Sequence, residues 1–340
     1  MTASVSSADD VLGTDYRFDE NPNFRGDAKV GLQFNYKIGE NSSAVVQLVS
    51  RGRSNEPWET NAEWAYLSHG LSENIQVRMG RLRIPLYLQS ETLDVGYSYP
   101  WVRPPIELYQ TNLTSYEGAD LLYKFRTGAW QHTLQPFAGS SSQHDDVDEP
   151  YGRIGLGPVL GNAAAELQID FQDLYGVTLS STWGDFTTKL TTMHLGLEGR
   201  VVALDNTLGA LNLLGVPGVP NVAAGGTIQN VDDSLSYYAG GVSYDNGQWF
   251  GMSELARISV TDGTLLPDSV MGHVTGGYRI DRWTPYAMWA FSHSMGDATV
   301  DREMESMSLG LRRELTDKLS AKLEWNHYYD LGKDNSGSVG

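Results

Sequence analysis

The sequence predicts an all-β fold: an antiparallel transmembrane β-barrel of the roughly 16-stranded type, with about 14 complete strands in this chain. Three observations predict it. Apolar and polar residues alternate over stretches of about ten residues, the length of a tilted membrane-spanning strand. Short turns alternate with long, irregular and often acidic connections, as in a barrel with tight hairpins on one rim and loops on the other. Aromatic residues collect beside the short turns, where an aromatic girdle meets a bilayer interface.

Ala28, Val30, Leu32, Phe34, Tyr36 and Ile38 alternate with Lys29, Gly31, Gln33, Asn35 and Lys37. Ile75, Val77 and Met79 alternate with Gln76 and Arg78, and Ala119, Leu121, Tyr123 and Phe125 follow the same rule around Asp120, Leu122 and Lys124. Near the other end, Leu319, Ala321, Leu323 and Trp325 alternate with Ser320, Lys322, Glu324 and Asn326. Short turns are expected at Gly39–Ser42, Gly70–Asn74, Arg126–Gly128, Trp183–Asp185, Asp245–Gly247, Ile280–Arg282 and Thr316–Lys318. Asn246-Gly247 is a strong two-residue hairpin signal because both positions tolerate positive φ. Tyr36, Trp130, Trp183, Trp249 and Trp283 lie beside these turns. In Glu166–Leu195 and Val270–Ser294 both faces carry apolar residues, so alternation leaves the register open.

Hairpins around those turns account for about fourteen strands in a single domain, 1–340. Thr2–Ser6 reads as the stub of an earlier strand and Asp330–Gly340 as a loop, so a terminal strand at each end is expected to be incomplete or missing. The longest connection in the first half is 84–116. A second, 196–234, is expected to be a long extracellular loop.

The chain has 340 residues, no cysteine and a formal net charge of -18. Disulfide frameworks and thiolate metal sites are therefore excluded. The acidic balance argues against nucleic-acid binding, which needs a basic footprint. No run of about 20 apolar residues is present, which excludes a helical membrane span. Met1 leads into Thr-Ala-Ser-Val without the apolar core of a signal peptide.

Asp173-Leu-Tyr-Gly-Val-Thr-Leu-Ser, Tyr237-Tyr-Ala-Gly-Gly-Val-Ser-Tyr-Asp-Asn-Gly, Trp283-Thr-Pro-Tyr-Ala and Leu319-Ser-Ala-Lys-Leu-Glu-Trp resemble segments of the general porins of Gram-negative outer membranes. The resemblance covers nearly the whole chain in short motifs. It implies a trimer of barrels in the bacterial outer membrane, each with a third extracellular loop folded into the lumen as a constriction. The segment 84–116 falls where that loop belongs. The chain departs from the family in lacking a terminal strand that ends in an aromatic residue.

Pro85, Pro100, Pro104 and Pro105 stiffen 84–116 by fixing φ and removing donors. Leu86, Leu88, Val95, Tyr97, Tyr99, Trp101 and Tyr109 need a wall to pack against, which favours an inward fold. Glu91, Asp94 and Glu107 are the loop's acids. Arg51, Arg53 and Arg78 have lumen-facing parity, and Arg81 and Arg83 stand just before the loop, with parity ambiguous beside Gly80. Acids on the loop facing arginines on the wall would create a transverse field at the narrowest point. Tyr97, Tyr99, Trp101 and Tyr109 also permit an aromatic track for sugars or ring-bearing solutes.

No cofactor, metal site or catalytic constellation is expected. The run Asp145, Asp146, Asp148 and Glu149 matches no Ca²⁺ loop spacing, no HExxH occurs, and Ser90 and Ser253 lack the glycines of a nucleophile elbow. The expected function is a non-enzymatic, water-filled diffusion channel for small hydrophilic solutes and ions, embedded in outer-membrane lipid and lipopolysaccharide. The acidic balance favours cations, against the arginine wall. The rival readings are a substrate-selective channel of the same fold, for a sugar or small organic acid, and a soluble all-β binding protein.

Overall fold

A computed structural model of the chain describes residues 28–52, 58–109, 113–144, 165–203, 227–261, 268–295 and 304–330. They form one antiparallel sheet of fourteen strands, each paired with its neighbours in sequence. The first half comprises β1 (Lys29–Lys37), β2 (Ser42–Arg51), β3 (Glu59–Gly70), β4 (Ile75–Arg83), β5 (Ser115–Thr127), β6 (Trp130–His144) and β7 (Ala165–Trp183). The second comprises β8 (Phe186–Ala203), β9 (Thr227–Asp245), β10 (Trp249–Val260), β11 (Asp268–Tyr278), β12 (Trp283–Met295), β13 (Met304–Thr316) and β14 (Leu319–Asp330). Among the described residues β1 and β14 do not pair, and the sheet ends on these two edges. A 3₁₀ turn (Ser90–Thr92) and a one-turn helix, α1 (Ile106–Tyr109), lie in the connection between β4 and β5.

Directly opposed residues of an antiparallel ladder share a face, so the register sorts side chains onto two walls. One wall runs through Leu67↔Met79↔Ala119, then Leu134↔Leu179↔Leu190, then Val274↔Trp289↔Met307. Its apolar residues are exposed, Leu32 at 58% and Leu323 at 74%. The opposite wall buries Gln47, Asp120, Gln135, Thr178, Lys189, Glu254 and His273. A water-soluble fold has the reverse arrangement. Burying one Leu or Phe side chain is worth about 1.5–3 kcal/mol, and a belt of this size left in water would drive aggregation. Apolar outside and polar inside is what lipid around a wet lumen demands, and between β1 and β14 each strand is paired on both sides.

All seven short turns stand where expected. At Asp245–Gly247 the Asn246 Oδ1 accepts from the backbone N–H of Gln248 (3.0 Å) and Trp249 (2.7 Å), and Gly247 has φ 87°. Gly128 (φ 60°) and Gly184 (φ 54°) close the neighbouring turns. Aromatic rings pack around this rim: Trp130 on Trp183 at 5.6 Å, Phe186 on Tyr244 at 4.8 Å and Trp249 on Tyr278 at 4.4 Å between centroids.

The long connection expected over 196–234 is shorter than its sequence suggests. β8 continues to Ala203 and β9 begins at Thr227, paired from Gly196↔Ser234 to Val202↔Thr227. Main-chain pairing carries the hairpin past the apolar alternation, through polar residues such as Asp232 and Asp233 that give no strand signal. Only 204–226 connects the two strands, and it lies outside the described residues, as do Thr2–Ser6, the acidic run 145–149 and 331–340. The open registers are set by Leu179↔Leu190, with a bulge between Gln172 and Tyr175, and by Val274↔Trp289.

Gly118 and Gly139 face each other across β5 and β6. A Cβ on Gly118 would overlap the Ala138 carbonyl oxygen, and one on Gly139 the Glu117 oxygen. Because backbone atoms block the space, Gly118→Val should lower the urea midpoint of the folded barrel in detergent by an amount equivalent to about 1–3 kcal/mol.

Candidate functional site: the segment inside the wall

Residues 84–109 and 113–114 leave the end of β4 and turn onto the inner wall. Leu82, Ile84, Leu86, Tyr87, Leu108 and Tyr109 bury themselves against inward residues of β6–β11, among them Phe137, Leu174, Met193, Tyr237 and Met271. This explains why β7–β8 and β11–β12 are apolar on both faces: one face meets lipid, the other meets this segment. Tyr99 and Trp101 form a second cluster with Tyr286 and Met288 of β12.

Polar anchors fix the path. The Pro85 carbonyl accepts from Thr178 and Thr191, both at 3.1 Å, and the Tyr87 carbonyl from the Lys189 ammonium at 2.9 Å. Glu254 on β10 holds both limbs: its Oε1 accepts the Leu88 N–H at 2.7 Å, and its Oε2 accepts the Tyr109 hydroxyl. His273 Nε2 lies 3.0 Å from the same Oε2, and its Nδ1 lies 3.3 Å from Thr275 Oγ1. Thr275 in turn accepts the Trp101 indole N–H at 3.1 Å. Its hydroxyl proton is then free to point at His273 Nδ1, which leaves Nε2 to donate to Glu254. Burial raises the Tyr87 and Tyr109 hydroxyls above their ordinary pKa, so both stay protonated.

From Leu88 on β10 the chain crosses to Asp94, a span of six residues that reaches at most about 20 Å. Asp94 meets three cations from three strands: Arg51 at 2.8 Å, Lys29 at 3.4 Å, and Arg83. Glu63 bridges Arg51 and Arg83, the latter at 2.9 Å. Burial alone would raise the Asp94 carboxyl, but Arg83, Arg51 and Lys29 outweigh it and hold it at about 2. Arg83 can reach this cluster because β3–β4 pairing ends at Ala65↔Arg81, which leaves its guanidinium free to turn inward, where it also meets the Ser90 carbonyl at 3.2 Å.

Several expected residues take other places. Arg53 lies outside the described residues. Arg78 is on the inner wall but faces no loop acid within bonding distance. Asp120 of β5 grips it through two bonds, Nε at 2.9 Å and Nη2 at 2.5 Å, and it lies over the Tyr66 ring at 5.4 Å. Arg81 shares the outer face with Met79 and pairs with Glu117 at 3.3 Å, so it is no wall of the lumen. Glu107 is buried on α1 against Ser306, away from the arginines, and burial raises its pKa. Glu91 alone of the loop acids is exposed, within electrostatic reach of Arg78 and Lys189.

The aromatic track is not formed. Tyr99 is 2% and Trp101 0% exposed, Tyr109 is buried against Glu254, and only Tyr97 keeps an open ring, held under the Arg312 guanidinium at 4.5 Å. These rings are packing and anchoring groups. Their partners on β10–β14 (Glu254, Thr275, Arg312 and Lys322 by hydrogen bonds, His273 by ring contact) went unrecognised as site residues; parity marks Glu254, Arg312 and Lys322, while for His273 and Thr275 the alternation left the register open. Towards the short-turn rim the inner wall opens into a polar recess of ≈ 260 Å³, lined by Lys37, Asn41, Ser68, Gln76 and Lys124 among others.

No family model and no curated protein matches the sequence. Solved structures do. The outer membrane channel DcaP of Acinetobacter baumannii aligns with TM-score 0.57 at 10% identity, over 92% of this chain and 83% of that one. Salmonella typhi OmpF, in complex with daunomycin, aligns with TM-score 0.52 at 12% identity, over 91% and 84%. The trimer form of Vibrio cholerae OmpT, described as an outer membrane protein, aligns with TM-score 0.51 at 14% identity, over 88% and 80%. At such identities the likeness establishes the fold, an outer-membrane-type β-barrel architecture.

Removing the Asp94 charge strands three cations on a single carboxylate. Asp94→Asn should weaken docking of the segment by about 3 kcal/mol, read as faster proteolysis within 84–114 while the strands stay protected. The lowered carboxyl contributes stability that is complete above pH ~4 and lost as pH falls through ~2. Pepsin cleavage of this segment in the parent chain should therefore begin only below about pH 3.

Proposed function

We propose that the chain is an outer-membrane porin, a non-enzymatic, water-filled channel in which 84–114 is the constriction loop and small hydrophilic solutes pass by diffusion. The observation that carries this reading is the crossing of residues 89–93 between β10 and the Asp94 cluster, inside a wall whose outer face is apolar. The passage then runs between Glu91 and an inner wall that presents Tyr66 and Arg78, the latter backed by Asp120. Membership of the general porins, residence in the outer membrane among lipid and lipopolysaccharide, and assembly as a homotrimer belong to the same reading. The trimer form of Vibrio cholerae OmpT supports the last of these.

Charge decides what passes. Arg78 is neutralised by Asp120, and Lys29, Arg51 and Arg83 share Glu63 and Asp94, which leaves one net positive charge held behind the loop. Glu91 faces the water, within electrostatic reach of Arg78 and Lys189. Together with the net charge of -18, this favours cations over anions. The sugar-selective reading loses support because three of its four aromatic rings are buried.

In planar bilayers the purified protein should give stable, ohmic steps. In a salt gradient the reversal potential should have the sign of cation preference, and Glu91→Gln should move it towards zero. Absence of conductance would overturn the channel, and anion preference would overturn the charge assignment alone.

A further inference from the structure

The tip of the segment is held in an unusual way. Beyond Asp94 the carbonyls of Gly96, Tyr97, Tyr99 and Trp101 accept hydrogen bonds from side chains of β13 and β14. Two cations of the wall provide the donors, for the exposed Gly96 and Tyr97 as for the buried Tyr99 and Trp101. Lys322 Nζ lies 2.5 Å from the Gly96 oxygen, 2.8 Å from that of Tyr99 and 2.5 Å from that of Trp101. An ammonium has three N–H donors, so this set saturates it, and the Tyr99 ring covers it at 4.7 Å. Arg312, opposite Lys322 in the β13–β14 ladder, donates to Tyr97 O at 2.9 Å and Tyr99 O at 3.2 Å. Its second amine is held by Glu314 at 2.6 Å.

We propose that Lys322, seconded by Arg312, is the positioning residue of the constriction, fixing the loop tip through main-chain carbonyls across the seam between β14 and β1. The inference rests on the channel reading. Its leverage comes from sequence distance: the Asp94 carboxylate is tied to β1, β2 and β4, and the Gly96 carbonyl, two residues on, is tied to β14. The tip is thus clamped between the two edges of the sheet. Releasing Lys322 frees the carbonyls of Gly96 and Trp101. It leaves the stretch from Val95 to Trp101 to Arg312, the Tyr97 hydroxyl on Glu314 and the packing of Tyr99 and Trp101 on β12, a looser hold that lets it shift relative to Glu91 and the passage. A carbonyl clamp reads backbone shape and not side-chain identity, so it would hold the tip whatever residues line it.

The chain has no cysteine, which permits a chemical test. Lys322→Cys, alkylated in denaturant with 2-bromoethylamine and then refolded, regains an ammonium: the thiolate sulfur displaces bromide and forms a thioether to the aminoethyl group. Single-channel current is recorded for the parent, the variant, the aminoethylated variant and the variant capped with neutral methyl methanethiosulfonate. The unmodified and methyl-capped forms should show several-fold more open-channel noise and a larger exclusion limit for neutral polymers. Aminoethylation should restore both to parent values. Parent-like noise and exclusion in the unmodified variant would overturn the proposal, as would failure of aminoethylation to restore them. Should Lys322→Cys not refold, Lys322→Arg carries the test: it keeps charge and bulk, but a planar fork cannot converge on three carbonyls, so a parent-like channel would likewise overturn the clamp. A parent protein that inserts without conducting would overturn the channel reading instead, a distinct result.

Discussion

The structure depends on residues 84–109 lying against the inner wall. Without them, Leu174, Met193, Tyr237, Met271, Tyr286 and Met288 would present apolar side chains to water, and Lys189, Glu254 and Lys322 would lose the hydrogen-bond partners that the segment supplies. With them, the inner face of β6–β12 is a packed core, whereas that of β1–β5 opens into a polar recess towards the short-turn rim. The barrel-type sheet therefore carries two different interiors, and the border between them is the crossing at residues 89–93.

Two kinds of anchor share the work. On the side of β1–β4 the loop is held by charge, through one carboxylate among three cations from separate strands. On the side of β7–β14 it is held mostly through its backbone, by threonines, a glutamate and lysines that bond main-chain N–H and carbonyl groups. Charge-assisted bonds in a low dielectric are stronger than neutral ones and more costly to break. The loop is consequently rigid at its anchors, while Glu91, between them, stays exposed to the passage.

The sheet was legible because lipid and water impose opposite demands on alternate residues. Lys29–Lys37 and Leu319–Trp325 show the alternation plainly, since their inner faces meet polar surroundings. The same rule blurred in β7–β8 and β11–β12, where Leu174 and Met288 answer to the loop and not to solvent. It also missed the far ends of β8 and β9, where main-chain pairing proceeds through polar residues such as Asp232.

By itself the sequence determined the membrane-type barrel sheet, its seven tight turns, the existence of a stiff inward segment and the chemistry gathered on it. That follows because strand periodicity and turn residues are local properties of the chain. Only the tertiary structure decided the partners: that Asp94 and not Glu91 takes Arg51 and Arg83, that Arg78 belongs to Asp120, that Arg81 faces outward, and that Trp101 ends against Thr275. Those outcomes turn on where β3–β4 pairing stops and on contacts between residues more than a hundred positions apart, such as Tyr109 and Glu254. A period of two assigns a residue to a face, but the three-dimensional path of the loop selects which charge it meets there.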